Sequence, residues 1–125
     1  TRPEKPTKTV TEAIENHPID ILAHPLNRRI NKRESLKIDL DKVVETAVKE
    51  HTALEINSQP ERLDLPWDLI KKYRNQAKFV ISTDAHSTKE MENLHLGTSQ
   101  ARKGWIQKDD VVNMKYLEEL MSYCN

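Results

Sequence analysis

Three short apolar runs stop abruptly at polar residues: Asp20-Ile21-Leu22-Ala23-His24-Pro25, Ala53-Leu54-Glu55-Ile56-Asn57 and Phe79-Val80-Ile81-Ser82-Thr83-Asp84-Ala85-His86. They stand about 30 residues apart with helical patterning between them, the rhythm that repeated βαβ units produce. The fold class this predicts is α/β, with three mainly parallel strands and flanking helices. In such architecture chemistry collects at the carboxyl ends of strands, where the polar ends of all three runs fall.

The connecting segments carry the punctuation of helices. Thr11 to Asn16 reads as a short helix closed by Pro18, because the residue before a proline is pushed out of the α region. The residues before it, 1–9, are polar and basic with two prolines, which predicts a flexible start and suggests a piece of something longer. The first strand should run from Ile19 to Ala23. After Pro25 comes a basic connection with Arg28, Arg29, Lys32, Arg33 and Lys37, placing positive charge at the rim of the strand ends. Asp39 then opens a helix whose apolar positions are Leu40, Val43, Val44, Ala47 and Val48. Pro66 precedes a helical face marked by Trp67, Ile70 and Tyr73. Beyond Ser87 the pattern predicts a helical stretch over 89–93, a helical turn over 98–103 stopped by Gly104, and a final helical pair capped by Asp109. No domain boundary interrupts the chain.

Composition removes several classes of function. The 125 residues hold 20 basic and 20 acidic side chains, so bulk charge gives no nucleic-acid grip, although a local patch can still form. Neither P-loop nor dinucleotide fingerprint occurs, and the only glycines are Gly97 and Gly104. Cys124 has no partner for an internal disulfide. Without a secretory or membrane-spanning apolar run, the expectation is a cytoplasmic protein with no membrane contact.

His24 stands at a strand end, where Pro25 is expected to hold it extended. Asp84 and His86, two residues apart in an extended segment, would leave on one face, so a carboxylate oxygen and an imidazole nitrogen could reach one cation together. Such donors suit zinc, manganese or iron better than calcium or magnesium. Glu55 and Asn57 share a face in the second run. Glu55 reads equally as a buried, paired carboxylate and as a group orienting a metal-bound histidine, and Asn57 as a substrate contact or a strand terminator. Arg102 divides evenly between a solvated helix face and a phosphate contact, whereas Lys103 fits the solvated face better. His17, His51 and His95 have weaker claims: the first faces the opposite end of the sheet, the second follows a helix end, and the third lies in an irregular stretch.

Taken in order, Asp20 to Pro25, Ala53 to Asn57 with Pro60-Glu61-Arg62-Leu63-Asp64-Leu65, Ser82 to His86, and Leu96-Gly97 with Ala101-Arg102-Lys103-Gly104-Trp105 resemble the C-terminal half of a PHP (polymerase and histidinol phosphatase) domain. The closest likeness is to the kind attached to bacterial and archaeal family X DNA polymerases. The resemblance implies that residues 1–125 are a partial PHP domain, the C-terminal portion of a distorted (β/α)7 barrel. It further implies a cluster of divalent metal ions, manganese or zinc, at the strand ends, with His24, Asp84 and His86 on ligand positions and Glu55, Asn57 and Arg102 as supporting or substrate-contacting residues. In the intact protein the implied activity is phosphoester hydrolysis, seen as 3'-5' exonuclease and end processing in DNA repair, with DNA as partner. The family's early His-x-His motif has no counterpart here. The missing N-terminal half is therefore expected as a partner, and the chain alone should bind metal weakly or not at all and be inactive. Two alternatives remain open: a small-molecule phosphatase such as histidinol phosphatase, and a non-catalytic structural PHP module.

Overall fold

The computed structural model describes residues 4–112. In chain order it contains α1 (Glu4–Asn16), β1 (Ile21–Leu22), α2 (Leu40–Lys49), β2 (Ala53–Asn57), α3 (Trp67–Tyr73), β3 (Phe79–Ser82) and α4 (Leu94–Lys103), with short 3-10 helices over Lys89–Asn93 and Lys108–Asp110. The strands form one parallel sheet ordered β1-β2-β3. This is the α/β arrangement the apolar runs predict, and it is compatible with part of a barrel.

Helix α1 begins at Glu4, seven residues before the expected start, so residues 4–9 are helical where a flexible lead was predicted. Pro6 is compatible with this, because a first-turn N–H has no partner within the helix. Thr7 and Ile14 bury one side of α1, and the Thr7 hydroxyl accepts the Asp39 N–H at 2.7 Å. Asp39 in turn caps α2 by accepting the Lys42 N–H at 3.3 Å. Leu40, Val43, Val44 and Ala47 then turn inward, as their helical spacing requires.

Register decides what each sheet face presents. Leu22 aligns with Leu54, Leu54 with Phe79 and Ile56 with Ile81, and these side chains pack into the single core beneath the helices. Each of the fully buried members stabilises the fold by roughly 1.5–3 kcal/mol. Ala53, Glu55 and Asn57 point to the opposite face, in register with Ile21, Val80 and Ser82. That face lies outside the core cluster, and Ile21 is 46% exposed on it. Along the sheet edge, Val111 makes an isolated parallel bridge to Phe79, so the chain begins to cover β3 beyond α4.

Two boundaries differ from the sequence pattern. β1 is only two residues long because the backbone turns away at His24, and the carbonyl of Ile19 is taken by the Thr52 hydroxyl at 2.8 Å. α4 starts at Leu94 and runs directly on from the 3-10 turn, longer than the predicted 98–103, and it ends at Gly104 as expected. The helical pair expected after Asp109 lies mostly in residues 113–125, outside those described. No helix among the described residues is long and apolar enough to cross a membrane.

The closeness of α4 to the sheet depends on Gly97. A Cβ there would stand 2.0 Å from Ser58 Oγ and 2.9 Å from Ile81 Cγ2. Gly97→Ala gains about 1 kcal/mol of helix propensity but, with two contacts under 3.0 Å, overpacks by about 2–3 kcal/mol, so a net loss of about 1–2 kcal/mol is expected in urea denaturation. Ser58→Ala in the same chain should recover part of the loss, since Ser58 Oγ is buried without a hydrogen-bond partner among the described residues. A Gly97→Ala protein as stable as wild type would show that α4 does not depend on this contact.

Candidate functional site

Glu55 joins all three strand ends. Its Oε1 accepts the backbone N–H of His24 at 2.8 Å and Nδ2 of Asn57 at 3.0 Å, while Oε2 accepts the Ser82 hydroxyl. One carboxylate thereby ties the turn after β1 and the last residues of β2 and β3 on the sheet face away from the helices. Asn57, fully buried, passes the link on by accepting the Gln59 N–H at 3.0 Å. Glu55 and Asn57 are buried and paired here, and what they position is the strand-end backbone.

A second buried carboxylate fixes the surrounding loops. Asp64 accepts the Leu26 N–H with Oδ2 at 3.0 Å and Oδ1 at 3.2 Å, while Arg28 donates to the carbonyls of Arg62 at 2.7 Å and Leu63 at 2.6 Å. The basic connection after β1 is therefore anchored against the 58–65 loop. Burial pushes the Asp64 carboxyl above the ordinary 3.8, against the lowering effect of the Leu26 and Arg28 amides and of the nearby positive charge. The sign of its pH effect follows: its contribution is greatest below pH 3.8 and is lost as pH rises through the higher folded-state value. Melting temperatures of wild type and Asp64→Asn, compared across the acid range, should show the wild type losing ground as pH rises above 3.8. A constant difference between the two would remove Asp64 as the source.

Asp84 and His86 line a cavity of about 390 Å³ at this end of the sheet, together with Arg29, Gln59, Glu61, Arg62 and Glu90. Gln59 Nε2 donates to the Asp84 carbonyl at 2.9 Å, and the His86 N–H donates to Glu90 Oε2 at 2.8 Å. Arg29, the one residue of the basic connection that lines this cavity, and Arg62 from the 58–65 loop bring positive charge to it. The lining mixes the cations of Arg29 and Arg62 and the His86 imidazole with the carboxylates of Glu61, Asp84 and Glu90.

The local backbone departs from expectation at both candidate donor segments. Asp84 has φ 51°, so the two-residue alternation of a strand is broken after β3 and does not bring Asp84 and His86 to one face. Both residues instead line one cavity beyond the end of β3. His24 has φ 24° rather than the extended conformation expected before Pro25, because its carbonyl accepts the Asn27 N–H at 2.8 Å to close a turn while its N–H is held by Glu55. His24 is not among the cavity's lining residues, and no group of three or more His, Cys, Asp or Glu among the described residues is arranged to hold a metal ion. The donor types suit a divalent cation, but these residues by themselves do not complete a site.

Arg102 lies exposed on the last turn of α4, about 12 Å along the helix from its start at Leu94, and does not line the cavity. His17 and His51 are exposed, and His95 Nδ1 bonds the Glu92 carbonyl within its own turn. Sequence reasoning missed Ser82, Asp64, Gln59 and Glu90. Ser82 had a usable signal, since a serine ending an apolar strand next to one that carries a glutamate is a ready partner for it.

The chain is 38% identical over 117 residues to the DNA polymerase/3'-5' exonuclease PolX of Bacillus subtilis strain 168. The match covers 93% of this chain and 20% of that protein, so the chain corresponds to one part of PolX, spanning about a fifth of its length. No protein-family profile matches the chain.

Proposed function

We propose that the chain forms the C-terminal part of a PHP-type phosphoesterase domain within a family X DNA polymerase, acting in the cytoplasm on DNA 3' ends. The match to a polymerase/3'-5' exonuclease along almost the whole chain carries this reading. The cavity supports it, because Asp84 and His86 there face the guanidinium-bearing residues Arg29 and Arg62. In the intact domain His24, Asp84 and His86 would contribute donors for divalent ions, manganese or zinc, alongside donors from the family's early motifs. When bound, such ions activate water and stabilise charge on a phosphoryl group. This chain's own residues attract and orient: Arg29 and Arg62 draw the phosphodiester toward the strand ends, and Glu55 keeps the His24 turn in place. The chain alone should neither hydrolyse DNA nor bind manganese tightly, because among the described residues no group of three or more His, Cys, Asp or Glu is arranged to hold a metal ion.

The test is a chimera in which this chain replaces the matched part of the Bacillus subtilis PolX. Release of nucleotides from 3'-labelled single-stranded DNA with manganese is the expected result. Hydrolysis of histidinol phosphate with no action on DNA would favour a small-molecule phosphatase. Inactivity on both, in a folded chimera, would favour a structural module.

A further inference from the structure

Helix α3 presents Trp67, Lys71 and Arg74 at spacings of four and three, which places them along one face. The end of α4 lies against this helix: a Cβ at Gly104 would stand 2.6 Å from Ile70 Cγ2 and 3.1 Å from the Trp67 carbonyl. Trp105 therefore joins the same surface. Lys71 Nζ sits 3.7 Å from the centre of the Trp105 ring, Arg74 Cζ 5.1 Å from it, and Lys103 Nζ 5.9 Å from the Trp67 ring. Both indoles are open to solvent, Trp67 at 42% and Trp105 at 60%.

The placement of Trp105 is unfavourable for folding. It has φ 64° just past the helix end, a position where glycine is favoured and a bulky side chain is strained. It also leaves most of its ring unburied, so core packing does not offset the strain. Among the described residues Lys71, Arg74 and Lys103 have no carboxylate partner, and the ion pair on this side joins Lys72 to Asp41. Asp68 is the one acidic residue of α3.

We infer that the Trp67, Lys71, Arg74, Lys103 and Trp105 surface is a docking site for single-stranded nucleic acid, separate from the strand-end cavity. Two solvent-open indoles, with Lys71, Arg74 and Lys103 seated over them and without a carboxylate partner among the described residues, match what a single strand offers, bases that stack and phosphates that need positive charge. An acidic protein segment would use the cations but leave the indole faces without a flat partner. None of these five residues lines the cavity of Asp84 and His86.

Fluorescence anisotropy of labelled oligothymidylate with the full chain, in EDTA, tests the surface without any metal-dependent step, so failure of the proposed hydrolysis leaves the result intact. Trp105→Gly should weaken binding about tenfold without lowering the melting temperature, because the strained position is relieved and little buried area is lost. Trp105→Asn, tolerated at positive φ, gives the same reading should glycine loosen the turn. Lys71→Ala and Arg74→Ala should each reduce the salt dependence of binding by about 0.7 in logarithmic slope. Unchanged affinity in the Trp105 variants would move binding to the basic loop after β1 and overturn the inference. Equal binding of an abasic strand, or tighter binding of polyglutamate, would also overturn it by removing the bases from recognition.

Discussion

Alanine at Asp84 or at His86 is expected to lower turnover of 3'-labelled single-stranded DNA by the PolX chimera more than about a hundredfold, since even groups that only orient a metal ligand typically cost 10- to 100-fold. The two residues face one cavity with Arg29 and Arg62, so either change removes a donor without disturbing the core beneath the helices. His51→Ala is the matched control. His51 follows the far end of α2, is exposed, and should leave turnover within about twofold, as expected for a surface substitution of small energetic effect. Equal turnover in wild type and Asp84→Ala would remove this end of the sheet as the active site. Equal losses from His51→Ala would point to a general folding effect.

Glu55→Ala should destabilise the chain by about 3 kcal/mol, because it leaves three donors without their acceptor, one of them on the fully buried Asn57. Glu55→Gln keeps the side-chain length and one acceptor, and the Ser82 hydroxyl can rotate to receive the new amide. A loss of about 1 kcal/mol is expected for it. Urea denaturation of both variants separates the two accounts of this residue. Similar midpoints for Ala and Gln would mean that the three bonds contribute little and that Glu55 mainly fills space.

The strand rhythm was legible because period and length are written directly into Ala53 to Asn57 and Phe79 to Ser82, and the α2 cap was legible because Asp39 precedes an apolar helical pattern. Turns formed by distant partners were not. His24 takes a positive φ because Glu55, 31 residues away, holds its amide, and no local rule about Pro25 contains that information. The same limit applies to Asp84, whose carbonyl is held by Gln59 across 25 residues. For the site, the sequence picked out carboxylates and imidazoles by type and position, but the pairing of Asp84 with His86 through strand alternation did not survive the positive φ at Asp84, beyond the end of β3. Glu90, whose role depends wholly on what loops bring to it, carried no pattern to read, and Asp64, though part of the Arg62-Leu63-Asp64-Leu65 stretch, gave no local sign that it would hold the Leu26 amide 38 residues away.

The positive φ values at His24 and Asp84 also affect how such a chain changes over generations. At both positions folding by itself favours glycine or asparagine, which adopt this conformation more readily than histidine. A lineage screened only for solubility or heat resistance would drift toward those residues, and each step would look like an improvement. A lineage screened for chemistry would hold the imidazole and the carboxylate against that drift. Parallel selection on this chain would therefore separate the two pressures at two codons, with the outcome read by sequencing alone.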